Sequence, residues 1–242
     1  MPIAELPSSN IYYEIHELSE GLQTGVEQTI ILVHGFVSNA RVNWVNTGWV
    51  KKLVDAGYKT IVMDNRGHGK SQKFYEEDDY SLEVMANDTL ELLNHLDVTK
   101  CNIMGYSMGA RISSKLVMQD PNRFDKLIIA GNAYNMIAGA GDWTPVRDAM
   151  LVPSLQDVTT RHARGFRSFA DQTNGDLKAL AACVMGAREL FSEAQFNQIQ
   201  NEVLVAIGTD DDIAGEKEKF VALMPNATYL PIPNRDHMRA VG

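Results

Sequence analysis

The chain is poor in cysteine, has no long apolar run and carries no excess of positive charge. Two cysteines in 242 residues, Cys101 and Cys183, are too few for a disulfide scaffold or a thiolate-rich zinc site. No apolar run approaches the length that spans a bilayer. The opening residues, MPIAELPSSN, lack the basic-then-apolar order of a secretory signal, so a cytoplasmic protein without membrane attachment is expected. Lys and Arg number 22 against 31 Asp and Glu, a net charge of -9. That balance argues against a nucleic-acid binder whose affinity rests on neutralising phosphates. There is no GxxxxGK[ST] phosphate loop and no HExxH pair, and neither a cofactor nor a metal is expected.

What is present is a globular composition, 45% hydrophobic and 22% charged, at a length suited to one domain with a small insertion. Apolar runs of strand length alternate with helical patterns. Strands are expected at Ile11–Ile15, Thr29–Val33, Lys59–Asp64, Asn102–Met104, Leu127–Ala130, Val203–Ile207 and Thr228–Ile232. Runs such as TIILV and VLVAI are nearly all apolar, as parallel strands buried on both faces should be. Helices are expected at Val45–Ala56, Ser81–Leu96, Met108–Gln119 and Glu216–Leu223. This order predicts an α/β fold with a mainly parallel central sheet covered by helices on both faces. The alternation breaks for about 70 residues after Leu127, a stretch too long for a structureless loop. It predicts a helical cap at 133–198, inserted between core segments 1–132 and 199–242.

Residues 105–109 read GYSMG between a short apolar strand and a helical pattern. This is the G-x-S-x-G nucleophile elbow in the context that it requires. Gly105 and Gly109 relieve crowding at a sharp turn, and the turn raises the Ser107 hydroxyl above the sheet. A serine needs a base, and the base needs an acid to orient it. His237, in the loop after the last strand, is the expected base. The acid is one of Asp210, Asp211 and Asp212, which follow the VLVAI strand, with Asp211 the leading candidate. Backbone N–H groups of Phe36, after the first buried strand, and Met108 are the expected oxyanion donors. His34 is expected to brace its loop, His162 to lie in the cap, and His68 to sit in a self-satisfied turn.

Together these segments resemble the α/β-hydrolase fold family. HGF at 34–36, DNRGHGKS at 64–71, GYSMGAR at 105–111, GTDDDIAG at 208–215 and NRDHM at 234–238 carry the resemblance, in the family's order. It implies Ser107 as nucleophile, His237 as base, Asp211 as acid and Phe36 and Met108 as oxyanion donors. The nearer likeness is to small carboxylesterase-like members, which implies hydrolysis of a small-molecule ester. The family also holds lactonases, thioesterases, carbon–carbon bond hydrolases, cofactor-free perhydrolases and non-catalytic binding proteins. Members usually continue past the histidine loop into a terminal helix, whereas this sequence stops five residues after His237. Without a replacement for that helix, an exposed sheet face would favour self-association.

Large apolar residues suggest the pocket. Trp44, Tyr106, Met136, Trp143, Phe166 and Phe169 lie in loops or in the expected cap. They predict a mostly apolar acyl pocket with few charged groups, suited to short and medium neutral esters.

Overall fold

A computed structural model of the chain describes residues 2–18 and 28–242. Among the described residues eight strands form one sheet: β1 (Ile3–Glu5), β2 (Asn10–His16), β3 (Gln28–Val33), β4 (Tyr58–Met63), β5 (Cys101–Tyr106), β6 (Phe124–Ala130), β7 (Glu202–Gly208) and β8 (Ala227–Ile232). Their order is β1-β2-β4-β3-β5-β6-β7-β8. β1 and β2 run antiparallel at one edge, and every pairing from β4 to β8 is parallel. The mainly parallel sheet that the strand–helix alternation predicts is therefore present. β1 goes beyond that expectation, because three residues are too short to show a period. It is defined by pairing Ile3 with Tyr12 across the hairpin.

The apolar strands separate two cores. On one face, Ile31, Val33, Ile61, Met63, Ile103 and Ile129 meet α2 (Leu82–His95) and α3 (Met108–Gln119). Ser81 starts α2, its hydroxyl accepting from the Val84 N–H at 3.3 Å. On the other face, Ile30, Leu32, Val62 and Met104 pack against Trp44 and Val50. A single helix was expected over Val45–Ala56. Instead a π-helical turn at Arg41–Val45 precedes α1 (Trp49–Asp55). Gly48, at φ 85°, turns the chain between them, a conformation that glycine adopts without steric cost. Trp49 Nε1 donates to the Val241 carbonyl at 2.6 Å and seats the last residues beside α1. Farther along this face Ile128 and Leu204 are half-buried and Leu230 is exposed.

Between β6 and β7 lie five α-helices, α4 (Asn135–Ala138), α5 (Thr144–Leu151), α6 (Arg161–Gln172), α7 (Leu177–Gly186) and α8 (Glu193–Asn197), and a 3-10 turn at Leu155–Asp157. Capping side chains set their starts. Thr160 Oγ1 accepts from Ala163 N, and Asp176 Oδ1 accepts from Lys178 N and Ala179 N. α9 (Lys217–Val221) lies between β7 and β8. Among the described residues no helix is long and apolar enough to cross a membrane.

Candidate functional site

Register brings the carboxyl ends of five parallel strands together. Val33 is level with Gly105, Tyr106 with Ala130, Ala130 with Ala206, and Gly208 with Ile232. Open parallel sheets place their sites at this end. Ser107 leaves β5 at φ 54° and ψ -112° and directly precedes α3. A non-glycine residue held there stores strain on the order of 1–3 kcal/mol, sustained by surrounding bonds. The Ser107 N–H donates to the Ala130 carbonyl at 2.8 Å, and its own carbonyl accepts from Ala110 N at 3.0 Å. Side chains at 105 and 109 would prevent this turn: a Cβ on Gly105 would strike the Gly109 carbonyl, and one on Gly109 the Val33 carbonyl.

Two further loops converge on the serine. His237 Nε2 lies 2.9 Å from Ser107 Oγ, and His237 Nδ1 lies 2.8 Å from Asp211 Oδ2. The other Asp211 oxygen accepts from the N–H groups of Ile213 at 2.9 Å and Ala214 at 3.0 Å. Those bonds turn one carboxylate edge to the backbone and leave the other for the imidazole. An ionised carboxylate only accepts, so Nδ1 carries the proton and Nε2 presents a lone pair to the serine hydroxyl. Gly208 lets these loops meet, since a Cβ there would collide with the Arg235 carbonyl. Asp210 and Asp212 are exposed. Asp236 caps its own turn by accepting from Met238 N and Arg239 N. His162, in α6, packs edge-on against Trp143 and Phe166.

His34 and His68 are fully buried beneath the site, with ring centroids 5.1 Å apart. His34 Nε2 accepts from Asn65 N at 2.9 Å, so Nδ1 donates to the Gly35 carbonyl at 2.7 Å. His68 Nε2 accepts from Val37 N at 3.3 Å, and Nδ1 donates to the Arg66 carbonyl at 3.0 Å. Each ring nitrogen is occupied, and each ring is held in one neutral tautomer. Burial pushes His34 down to about 4 and His68 down to about 3. Both therefore fix the loop that carries Phe36.

Phe36 and Met108 border the same cleft as Ser107. Met108 is the first residue of α3, where an N–H has no intrahelical acceptor. The cleft has a volume of about 310 Å³ and lies between the elbow and the helices that join β6 to β7, with Trp143 and Phe166 in its walls. A second cleft, about 230 Å³, also borders Ser107 and is lined by Tyr106, Phe166, Phe169 and His237. Trp44 and Met136 correct the expected pocket, for neither lines these clefts. Both are fully buried in core clusters, where a large apolar side chain gains more from packing than from a pocket wall.

The expectation of few charged groups is also corrected. Arg111 and Arg188 line the larger cleft. Burial lowers Arg111 to about 10, and burial with the nearby Arg111 charge lowers Arg188 to about 9. The sequence held a signal for Arg111, which stands one helical turn after Ser107. Arg188 follows α7, and only the packing of the helices between β6 and β7 brings it to the cleft.

Residues 28–166 match the family of the alpha/beta hydrolase fold. The chain belongs to that family. This α/β hydrolase is 29% identical over 170 residues to 3-oxoadipate enol-lactonase 2 of Acinetobacter baylyi, covering 64% of this chain and 62% of that protein. It is 31% identical over 106 residues to a 2-hydroxy-6-oxononadienedioate/2-hydroxy-6-oxononatrienedioate hydrolase of Escherichia coli, covering 43% of this chain and 36% of that protein. The alignments thus span less than two thirds of either relative's length. Among solved structures, the fold is shared with the enol-lactonase of Burkholderia xenovorans at a TM-score of 0.78 and 18% identity, over 96% of this chain and 91% of that one. It is shared also with a carboxylesterase structure from Nitrososphaera gargenis at 0.79 and 20%, over 99% and 92%.

Proposed function

We propose that this α/β hydrolase cleaves esters or lactones of small carboxylic acids through an acyl-enzyme on Ser107. The hydrogen-bonded chain from Ser107 Oγ through His237 to Asp211, beside a cleft, carries this reading. His237 takes the hydroxyl proton as Ser107 Oγ attacks the acyl carbonyl. The resulting oxyanion accepts from the N–H groups of Phe36 and Met108, and Asp211 stabilises the imidazolium. His237 then gives its proton to the leaving alkoxide. Water, deprotonated by His237, attacks the acyl-enzyme and restores Ser107. In a lactone the leaving alcohol stays attached to the acyl chain, and the sequence of proton transfers is unchanged.

A cleft of about 310 Å³ suits a short or medium acyl group. The names of the Acinetobacter and Escherichia relatives, an enol-lactonase and a dienedioate hydrolase, support the same site acting on a lactone or a carbon–carbon bond. A fluorophosphonate probe tests the nucleophile. The expected result is one covalent adduct, mapped by mass spectrometry to Ser107 and absent from Ser107→Ala. Undiminished turnover by Ser107→Ala on every nitrophenyl ester and lactone tried would overturn the proposal.

A further inference from the structure

Two arginines, Arg111 and Arg188, line the Ser107 cleft. Arg111 is 5% exposed, and its Nε has no hydrogen-bond acceptor. Its Nη2 donates to the main-chain carbonyl of Glu189, and its guanidinium lies 5.7 Å from the Phe191 ring centre. Arg188 donates from Nε to the Val184 carbonyl at 3.0 Å, and its guanidinium lies 3.9 Å from the ring centre of Trp143. Neither forms an ion pair among the described residues. Two carboxylates stand nearby: Glu189, which pairs with Lys115 at 3.6 Å and whose charge also acts on Arg111, and Asp142, which lines the cleft and accepts from Thr144 N at 2.9 Å.

Burying like charges beside each other is costly, and buried guanidinium groups ordinarily have carboxylate partners. Here carbonyls and aromatic faces fix the positions of the two groups, and no carboxylate among the described residues lies within ion-pair distance of either, the Glu189 charge acting on Arg111 from farther off. A purely structural tie between cap and core would not need two cations at one cleft, nor leave Arg111 Nε unbonded. An anion entering the cleft supplies the missing countercharge. A carboxylate fits, because its two oxygens match the fork of guanidinium donors.

We propose that Arg111 and Arg188 form a carboxylate-binding subsite, so that the substrate is an anion whose acyl part ends in a carboxylate. Such a substrate is a monoester of a dicarboxylic acid, or a lactone bearing a free acid group. The inference rests on Ser107 as nucleophile and adds the class of acyl group. Arg111 stands about one helical turn from Ser107, roughly 5–6 Å along α3. That spacing places the second carboxylate a few bonds from the carbonyl under attack.

The test compares 4-nitrophenyl hydrogen glutarate with its methyl-capped diester, which is uncharged and slightly larger. The wild type is expected to have the higher kcat/KM on the free acid. Arg188→Met should lower the ratio of the two constants roughly 10- to 100-fold, the range for a charge-assisted hydrogen bond. Arg188→Lys should recover part of it, keeping the charge and losing the fork. Glutarate binding by calorimetry provides a readout that needs no turnover: saturable binding by the wild type, weakened in Arg188→Lys and lost in Arg188→Met. Equal ratios in all three proteins, with no saturable glutarate binding by the wild type, would overturn the subsite. If the fluorophosphonate still labels Ser107 in that case, the nucleophile stands and the acyl class alone is wrong.

Discussion

Tyr106 Oη donates to the main-chain carbonyl of His237 at 2.5 Å, so the residue before the elbow serine anchors the loop that carries the imidazole. Their rings are also 5.8 Å apart, and Tyr106 is buried. The bond joins the end of β5 to the chain beyond β8, positions 131 residues apart in sequence. Tyr106 is thus a positioning residue, and Tyr106→Phe separates that role from the ring's packing. It should lower kcat roughly tenfold, equivalent to about 1.4 kcal/mol at the transition state, with little change in KM. Steady-state kinetics on a nitrophenyl ester checks the split. A change confined to thermal stability would show that the bond only holds the fold.

Asp211→Asn tests the other support of His237. The amide can keep one edge against the N–H groups of Ile213 and Ala214 while its NH2 faces Nδ1. A donor there forces the proton from Nδ1 to Nε2, and the lone pair facing Ser107 is lost. The fall in kcat should be on the order of 10³–10⁴, with the protein still folded. Circular dichroism beside burst kinetics distinguishes this from unfolding. A loss below tenfold would mean that another carboxylate orients the ring.

The site's geometry was legible in the sequence where local crowding dictates residue type. Gly105, Ser107 and Gly109 announce the elbow because only glycine escapes the carbonyls around it. Asp211 and His237 could be placed because parallel strands deliver their following loops to one sheet end. The pocket was less legible. Trp44 and Met136 are large and apolar near the right loops, yet their side chains point into cores, and the direction depends on packing that spacing does not reveal. Arg188 was missed because nothing local distinguishes a guanidinium folded into a cleft from one left in water. The helix over Val45–Ala56 was shortened by Gly48, whose left-handed φ is a property of the turn it enters.

A buried ion pair fastens α2 to the loop after β4. Arg66 Nε and Nη2 donate to the two carboxylate oxygens of Asp88 at 2.5 and 2.7 Å, and both residues are almost fully buried. Ser9 Oγ adds a bond to Asp88 at 2.6 Å, and Arg66 Nη1 donates to the Asp79 carbonyl at 2.9 Å. Removing one partner leaves the other charge without compensation. Asp88→Asn should therefore cost about 3–5 kcal/mol of folding stability. Urea unfolding gives the value. A cost under 1 kcal/mol would mean that water reaches Arg66 and replaces the carboxylate.

The paired histidines beneath the site make stability depend on pH in a defined direction. Their folded values, about 4 for His34 and about 3 for His68, lie below the ordinary histidine value of roughly 6.5. Well above pH 6.5 both are neutral in the folded and unfolded chains and contribute no slope. As pH falls below 6.5 the unfolded chain binds protons that the folded one refuses. Stability then falls, each histidine contributing at most about 1.4 kcal/mol per pH unit. The His34 contribution levels off near pH 4 and that of His68 nearer pH 3. Protonation would also place a second proton on a nitrogen that now accepts from Asn65 N or Val37 N, so each charged form loses a backbone bond. Glutamine at both positions can keep one donor and one acceptor without titrating. The double variant His34→Gln/His68→Gln should start from lower stability at pH 7.5 but lose less of it between pH 6.5 and 4.5. Urea midpoints across that range measure the slope separately from the starting value. Equal slopes in the variant and the wild type would show that carboxylates, not this buried pair, govern the acid limb.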